Sequence, residues 1–279
     1  MLEISTSYSF FRMLGGLGLG ALFSGIAWYL RVLTASGVFA ATILGGVVFG
    51  FAGLPWAILL MVFFASSSVL SRLFENRKLS MIKIFAKGGR RDLAQVAANG
   101  GVPALIVVGM ALGLISSSTA WLAFAASLAT VNADTWATEL GVLDPSNPRL
   151  ITTGRKVPRG TSGGVSFFGS LAALGGALLI ALLAGLFLKS PTLILVTSVL
   201  AIIGLVGSYV DSWLGATVQA IYYCPSCKKE TERFPEHTCG TKTVHHRGWH
   251  WLTNDWVNFL SASFSAFLAV GLFIALGMG

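Results

Sequence analysis

Long, mainly apolar stretches occur eight times along this chain, and they restrict its fold more than any other feature. An α-helix needs about 20 apolar residues to cross the hydrocarbon core of a bilayer. We place the predicted spans at residues 13–30, 36–53, 54–70, 93–115, 118–140, 167–188, 191–222 and 254–278. Because these stretches are long and do not alternate between apolar and polar residues, they favour membrane helices over the strands of a membrane barrel.

The composition agrees with a protein that lies within the membrane. Charged residues make up 11% of the chain and hydrophobic residues 54%, whereas a soluble domain carries about 25% charged residues. These values exclude an ordinary water-soluble enzyme and a disordered chain. We therefore predict an all-α, polytopic integral membrane bundle of about eight transmembrane helices, with the 279 residues forming one transmembrane domain.

Most of the basic residues lie in three loops between the predicted spans, at 72–91, 142–166 and 223–253. Two spans separate each of these loops from the next, so all three fall on the same side of the membrane. The positive-inside rule makes that side cytoplasmic and both termini non-cytoplasmic. We expect the plasma membrane of a prokaryote, with the active site facing the cytoplasm.

The net charge of +8 has two explanations. It suits insertion and contact with anionic membrane lipids, and it also suits binding of a polyanionic ligand. The pattern of residues typical of nucleic-acid binding does not accompany this charge, so we expect no nucleic-acid partner.

Four acidic residues lie near the predicted cytoplasmic ends of three spans: Asp134, Glu139, Asp211 and Asp255. Carboxylates within a membrane are costly, and their presence suggests function. Converging carboxylate and amide oxygens suit a hard cation, and Mg²⁺ usually binds together with substrate phosphates. Alternatively, these acids cap helices or pair with loop arginines, and for Asp255 capping explains the sequence nearly as well.

The second basic loop (142–166, the glycine-rich loop) combines cations, hydroxyls and glycines just before the sixth span. Its candidate phosphate ligands are Arg155, Lys156, Arg159, Gly160, Thr161, Ser162, Gly163, Gly164 and Ser166. Glycines permit close approach of the backbone, and the N-terminus of the following helix attracts anions. The loop is not a Walker sequence. It predicts a phosphate site because it lies on the same side as the four acids.

The fourth span begins with a polar stripe of Arg91, Gln95 and Asn99, spaced four residues apart on one helical face. Such a stripe should face the interior of the bundle. Hydrogen bonding between helices explains Gln95 as well as ligand binding does. Together with the acids and the glycine-rich loop, Arg91 and Asn99 suit phosphoryl transfer between a soluble nucleotide and a lipid, because that reaction mainly needs positioning and charge stabilisation.

The third basic loop (223–253, the cysteine loop) contains all three cysteines. The spacing of Cys224, Cys227, His237 and Cys239 is typical of a structural zinc site, which would make this loop a small zinc-binding insertion. Idle reduced thiols and redox chemistry are the alternatives. A disulfide is disfavoured because the loop is predicted to face a reducing compartment.

Five motifs resemble those of the phytyl-phosphate kinase family: residues 91–100 (RDLAQVAANG), 133–141 (ADTWATELG), 158–166 (PRGTSGGVS), 211–219 (DSWLGATVQ) and 254–258 (NDWVN). This family contains the chloroplast enzyme of tocopherol synthesis and membrane relatives from bacteria, archaea and animals. The resemblance runs in order from about residue 33 to the last span.

The resemblance implies transfer of a phosphoryl group, with Mg²⁺, from CTP or another nucleoside triphosphate to a prenyl monophosphate. The implied catalytic residues are Asp134, Asp211, Lys156 and Arg159. The expected nucleotide and phosphate ligands are Arg91, Asn99, Thr161, Ser162, Gly163, Gly164, Ser166 and Asn254. The expected Mg²⁺ ligands are Asp134, Glu139, Asp211 and Asp255.

Three alternatives to a prenyl-phosphate kinase stay open. The spacing of Asp134, Ala137 and Gly141 is also similar to that of CTP-using membrane enzymes, so lipid cytidylyl transfer and polyprenol phosphorylation are rivals within the enzyme class. A cation- or proton-coupled transporter would also use buried acids. The outer halves of the predicted helices are almost free of charge, which disfavours a path across the membrane.

Overall fold

The structure is a computed structural model that describes residues 6–74, 90–188 and 193–275, with side chains from Phe11 onward. Within these residues the chain forms eight α-helices: α1 (Thr6–Tyr29), α2 (Ala35–Ala52), α3 (Leu54–Leu73), α4 (Leu93–Ala111), α5 (Ser117–Gly141), α6 (Phe167–Leu188), α7 (Leu193–Thr217) and α8 (Asn254–Ala275). The loops contain five short strands: β1 (Arg149–Leu150), β2 (Gly164–Val165), β3 (Ile221–Cys224), β4 (Lys229–Thr231) and β5 (Val244–Arg247). The predicted bundle of eight helices is confirmed.

The central helix of the bundle is α5, which packs against α3, α4, α6, α7 and α8. Its residues from Ala120 to Ala133 are all buried. Within the described part of the chain, the other seven helices are long and apolar enough to cross a bilayer, but α5 is not. Because protein rather than lipid surrounds α5, its polar side chains can be satisfied inside the bundle.

Buried hydrogen bonds join this central helix to its neighbours. The Asn132 side-chain oxygen accepts hydrogen bonds from the hydroxyls of Ser66 (3.1 Å) and Ser67 (3.2 Å) on α3. The Asn132 amide also donates to the backbone oxygen of Gly176 on α6, at 2.8 Å. Interhelical hydrogen bonds of this kind contribute on average about 0.6 kcal/mol each in a membrane protein. They fix the relative positions of α3, α5 and α6.

Two helices end earlier than the sequence predicts. Helix α4 ends at Ala111 rather than at 115, and Gly113 then adopts a positive φ of 74° that takes the chain into a turn. Helix α7 ends at Thr217 rather than at 222, because the chain continues into β3. The Arg247 guanidinium donates to the carbonyl oxygens of Gly215 and Ala216 at 3.0 Å each, which satisfies two acceptors at the end of α7. Residues 276–278 of the eighth predicted span lie outside the described residues.

Two small antiparallel sheets form in the loops, and the sequence did not predict either. Strands β1 and β2 pair within the glycine-rich loop. Strands β4, β3 and β5, in that order, form a three-stranded sheet in the cysteine loop. The first basic loop falls mostly outside the described residues, which omit 75–89 and therefore Arg77, Lys78, Lys83 and Lys87.

Candidate functional site

A cavity of about 770 Å³ lies at one end of the bundle, where the last turns of α5 face the first turns of α4 and α8. Fourteen of the residues predicted for the site line it: Arg91, Asn99, Asp134, Glu139, Arg159, Gly160, Thr161, Ser162, Gly163, Gly164, Ser166, Asp211, Asn254 and Asp255. These residues come from four helices and the glycine-rich loop and lie up to 164 positions apart in sequence. The fold therefore brings them to the same cavity.

Arg155 and Lys156 are the predicted phosphate ligands that do not line the cavity. Both side chains are exposed, and the backbone of Lys156 pairs with Arg149 across the turn that follows β1. Arg159, three residues later, does line the cavity. The structure therefore separates Lys156 from the other residues that were predicted to be catalytic.

Three acidic side chains come close together in the cavity. Asp211 is 8% exposed, and its Oδ2 accepts a hydrogen bond from the Ser261 hydroxyl on α8 at 3.1 Å. Asp134 is half-buried on α5, near enough to Asp211 for the two carboxylates to interact electrostatically. Glu232, from the cysteine loop, acts on both of them. Mutually repelling carboxylates in a half-enclosed space are suited to a divalent cation.

Among the described residues, the Oδ1 atom of Asn258 is buried without a hydrogen-bond partner. Asn258 belongs to α8, one turn before Ser261, whose hydroxyl donates to both Asp211 and the Asn258 backbone oxygen. Asn258 does not line the cavity, so the oxygen donors available there are the carboxylates of Asp134, Asp211 and Glu232. These carboxylates fit Mg²⁺, which prefers oxygen ligands.

Arg91 is the cation at the start of α4, and several contacts fix its position. Its guanidinium donates to the Ser68 hydroxyl at 3.1 Å and lies 5.4 Å from the centre of the Phe64 ring. It is attracted electrostatically to Glu139, whose carboxylate also accepts a hydrogen bond from Ser71 at 2.8 Å. A half-buried cation held in this way is preorganised for an anionic ligand.

The glycine-rich loop reaches the cavity through a tight turn. Gly163 has a positive φ of 82°, and its backbone lies against Ala216 near the end of α7. The Arg159 guanidinium donates to the backbone oxygen of Pro145 in the same loop. Asp144 accepts hydrogen bonds from the hydroxyl and backbone N–H of Ser146, and these lower the pKa of Asp144. The loop is therefore held at both of its ends.

The cysteine loop contributes cavity residues that sequence reasoning missed: Glu232, Arg233, Phe234, Glu236 and His250, next to Tyr222 just before the loop. Glu232 accepts a hydrogen bond from the Gln219 amide at 2.8 Å, and Gln219 accepts one from the Ser162 hydroxyl at 2.9 Å. This chain of hydrogen bonds joins the cysteine loop to the glycine-rich loop. The sequence offers little signal for it, because Glu232 and Arg233 look like solvated loop residues.

The predicted zinc ligands are also brought together. The ligand atoms of Cys224, Cys227, His237 and Cys239 lie within 4.8 Å of one another. Hydrogen bonds with Thr241 and His237 lower the pKa of the Cys239 thiol to about 5, whereas a hydrogen bond with Cys239 and burial raise the pKa of the Cys227 thiol to about 11. The thiolate is the form of cysteine that binds metals.

The fold and the site describe a polytopic membrane protein with a polar cavity, rich in acidic and basic groups, at one end of its bundle. The chain belongs to the family of integral membrane proteins called DUF92, whose model matches residues 18–266.

Several proteins are similar to this chain. It is 33% identical to Protein PGR of Arabidopsis thaliana, over 92% of this chain and 95% of that protein. It is also 33% identical to a membrane protein of Methanocaldococcus jannaschii, over 67% of this chain and 74% of that protein. Protein VTE6, chloroplastic, of Arabidopsis thaliana is 27% identical over 85% of this chain and 64% of that protein. No solved structure matches the chain. The resemblance to the phytyl-phosphate kinase family that the five motifs predicted is therefore confirmed.

Proposed function

We propose that this protein is a membrane kinase that transfers the γ-phosphoryl group of CTP to a prenyl monophosphate, giving a prenyl diphosphate and CDP. The observation that carries the proposal is one cavity at one end of the bundle, in which carboxylates, arginines and a glycine turn converge. The similarity to Protein VTE6 supports it independently. Phosphoryl transfer requires these groups because it depends on metal-bridged phosphates and cationic stabilisation of spreading charge.

In this proposal the acidic and basic residues have separate tasks. Asp134 and Asp211, with help from Glu139 and Asp255, would hold Mg²⁺, which when bound neutralises phosphate charge. Arg159 and Arg91 would stabilise the negative charge that develops on the transferred group. Both kinds of group line the same cavity, so Mg²⁺ and the arginines could contact one triphosphate together.

The glycine-rich loop would bind the nucleotide phosphates through its backbone and hydroxyls. Thr161, Ser162 and Ser166 supply hydroxyls, and the turn at Gly163 and Gly164 allows the backbone to approach closely. Asn99 and Asn254 also line the cavity and offer side-chain amides. These groups orient the γ-phosphate and exclude water, which would otherwise compete as acceptor.

The acceptor would be a lipid phosphate whose apolar tail stays in the bilayer. Its phosphate oxygen is already ionised near pH 7, so the transfer needs no strong general base. The acceptor oxygen forms a bond to the γ-phosphorus as the bond to the β-phosphate oxygen breaks, and CDP leaves with the bonding electrons. A cavity at the end of a membrane bundle suits one substrate from water and one from lipid.

The test is transfer of label from γ-labelled CTP to phytyl phosphate by the purified protein with Mg²⁺. We expect a labelled lipid diphosphate, and Asp134→Asn should lower the rate at least about a hundredfold, since removal of one preorganised charged group commonly costs that much. Glu230→Gln is the matched control, because Glu230 is a partly exposed acid that does not line the cavity. No labelled lipid with wild-type protein across several prenyl phosphates and nucleotides would refute the proposal.

Product analysis separates the kinase from its enzymatic rivals. Cytidylyl transfer would release pyrophosphate and attach the α-labelled CMP group to the lipid, whereas the kinase attaches only the γ-phosphoryl group. A polyprenol kinase would label a free prenyl alcohol instead of a prenyl phosphate. Ion flux into vesicles that Asp134→Asn abolishes, without any lipid product, would favour a transporter.

We also infer that the cavity faces the cytoplasm, because the basic residues of the glycine-rich and cysteine loops lie on its side of the bundle. Labelling of a Lys156→Cys variant in intact cells tests this orientation, since Lys156 is exposed in the glycine-rich loop and lies outside both the cavity and the cysteine cluster. An impermeant thiol reagent should label this introduced cysteine only after the cells are opened. Labelling from outside intact cells would refute the inferred orientation.

A further inference from the structure

The cluster of Cys224, Cys227, His237 and Cys239 has the geometry of a tetrahedral metal site. The Cys224 and Cys239 sulfurs are 3.6 Å apart, and the Cys227 sulfur is 3.5 Å from Nδ1 of His237. With zinc–sulfur bonds of about 2.3 Å and zinc–nitrogen bonds of about 2.0 Å, tetrahedral ligands lie about 3.5–3.8 Å apart. The Nδ1 atom of His237 is 3.2 Å from the Cys239 sulfur, only slightly less than that separation.

The backbone supports the same conclusion. Each of the two ligand pairs lies at a turn, and the residue after each second ligand has a positive φ: Lys228 at 50° and Gly240 at 79°. A positive φ is uncommon for lysine and usually accompanies a local requirement. Here it turns the chain around the ligand sulfurs. Cys224 is fully buried and His237 is 4% exposed, whereas Cys227 is half-buried and Cys239 exposed, so the cluster lies at the edge of the loop with two of its ligands facing inward.

A disulfide does not fit this arrangement as well. A disulfide needs sulfur atoms about 2.05 Å apart, whereas the Cys224 and Cys239 sulfurs are 3.6 Å apart. It would also leave Cys227 and His237 without a purpose in the cluster. Three sulfurs and one imidazole nitrogen converging on one point are the donor set of a structural zinc site.

We propose that Zn²⁺ binds Cys224, Cys227, His237 and Cys239 and, by folding the cysteine loop, fixes Glu232 and Arg233 at the wall of the cavity. This metal is separate from the Mg²⁺ of the proposed reaction and takes no part in the chemistry. A fourfold ligand set without an open position is the usual form of a zinc site that serves folding.

The strands of the cysteine loop connect the metal cluster to the cavity. Strand β3 ends at the ligand Cys224, which pairs with Lys229 at the start of β4. Strand β4 then runs back to Thr231, so the next residue, Glu232, reaches the Gln219 amide at 2.8 Å. The metal at one end of this hairpin therefore sets the position of Glu232 at the other.

Metal analysis of the purified full-length protein in detergent tests the site directly. We expect one zinc ion per chain. After exchange into Co²⁺, we expect the visible absorption of tetrahedral cobalt and a near-ultraviolet band from bonds between cobalt and thiolate. These measurements use the wild-type protein, so they do not depend on the folding of a variant. A metal-free protein that takes up neither ion, or one that contains a disulfide, would overturn the proposal.

A pair of histidine variants shows whether the metal occupies this cluster. His237→Ala should lose most of the bound zinc and the cobalt spectrum. His246→Ala is the matched control, because His246 lies on β5 beside Glu230 and outside the cluster. Equal zinc content in wild type and His237→Ala would overturn the assignment of the ligands.

The effect on the cavity is measured as binding of CTP with Mg²⁺, and this part rests on the proposed function. Removal of zinc with a chelator should weaken CTP binding at least about fivefold, a typical coupling between two sites, and restored zinc should restore the affinity. Unchanged affinity after zinc removal would refute the coupling. If the zinc-loaded protein binds no CTP, the proposed function fails, whereas the zinc content still decides the metal site.

Discussion

Gly163→Ala should disturb the glycine-rich loop more than Gly154→Ala, which adds the same methyl group elsewhere in the loop. Gly163 has a positive φ of 82°, a region that residues with a Cβ atom rarely adopt. A Cβ atom at this position would also lie 2.6 Å from the backbone nitrogen of Ala216 and 2.7 Å from its Cα atom. These atoms belong to the backbone of α7, so they cannot rotate away.

The magnitude follows from these two effects. The left-handed backbone conformation costs a non-glycine residue about 1–2 kcal/mol, and overpacking against a rigid neighbour adds about 1–3 kcal/mol. Gly154 is the matched control in the same loop, because it also has a positive φ, 67°, but nothing lies within 4 Å of its added Cβ. Gly154→Ala should therefore show only the conformational part of the cost.

The assay is thermal unfolding of the wild type and both variants in the same detergent, together with kinase activity. We expect the free energy of unfolding to fall by about 2–5 kcal/mol for Gly163→Ala and by about 1–2 kcal/mol for Gly154→Ala. Activity should fall sharply only for Gly163→Ala, because displacement of this turn moves Ser162 in the cavity. Equal destabilisation and equal activity of the two variants would refute the claim that contact with Ala216 fixes the loop.

Two further substitutions test the site and its support. Arg159→Ala should lower the rate of phosphoryl transfer about a hundredfold, because it removes a charge from the cavity wall. Lys156→Ala should leave the rate within about twofold of wild type, because Lys156 does not line the cavity. A larger loss of rate for Lys156→Ala than for Arg159→Ala would contradict the observed geometry. Arg247→Ala should reduce the free energy of unfolding by about 1.5–3 kcal/mol, since it removes charged hydrogen bonds to two carbonyls at the end of α7. Thermal unfolding beside Arg247→Lys measures this effect, and an unchanged midpoint would show that the bonds contribute little.

The sequence predicted the helices well because each must bury its backbone polar groups and present about 20 residues to the membrane. Helix α5 is the one described helix that is not apolar enough to count as a membrane span. Its apolar first half was still sufficient to predict a helix there. Its acids, such as Asp134, identified the end at which the site would form. The ends of α4 and α7 were predicted less well, because turn geometry at Gly113 and the strand after Thr217 decide them.

The candidate site was predicted in outline for a related reason. Few charged residues occur in this chain, so each one near a span is informative, and fourteen predicted residues line the cavity. Sequence spacing grouped Lys156 with Arg159, whereas the exposed side chain of Lys156 lies outside the cavity. It also missed Glu232 and Gln219, whose contact depends on the packing of the cysteine loop against the bundle.

The amino-acid sequence alone determined that this chain is a membrane bundle with acids, arginines and glycines near one membrane face, because hydrophobic length and charge act locally along the chain. Only the tertiary structure decided which of these groups share a cavity, since that depends on how helices cross and how loops fold back. The pairing of Ser162 with Gln219, and of Gln219 with Glu232, depends on contacts between segments far apart in sequence. No periodicity or spacing within one segment encodes such contacts.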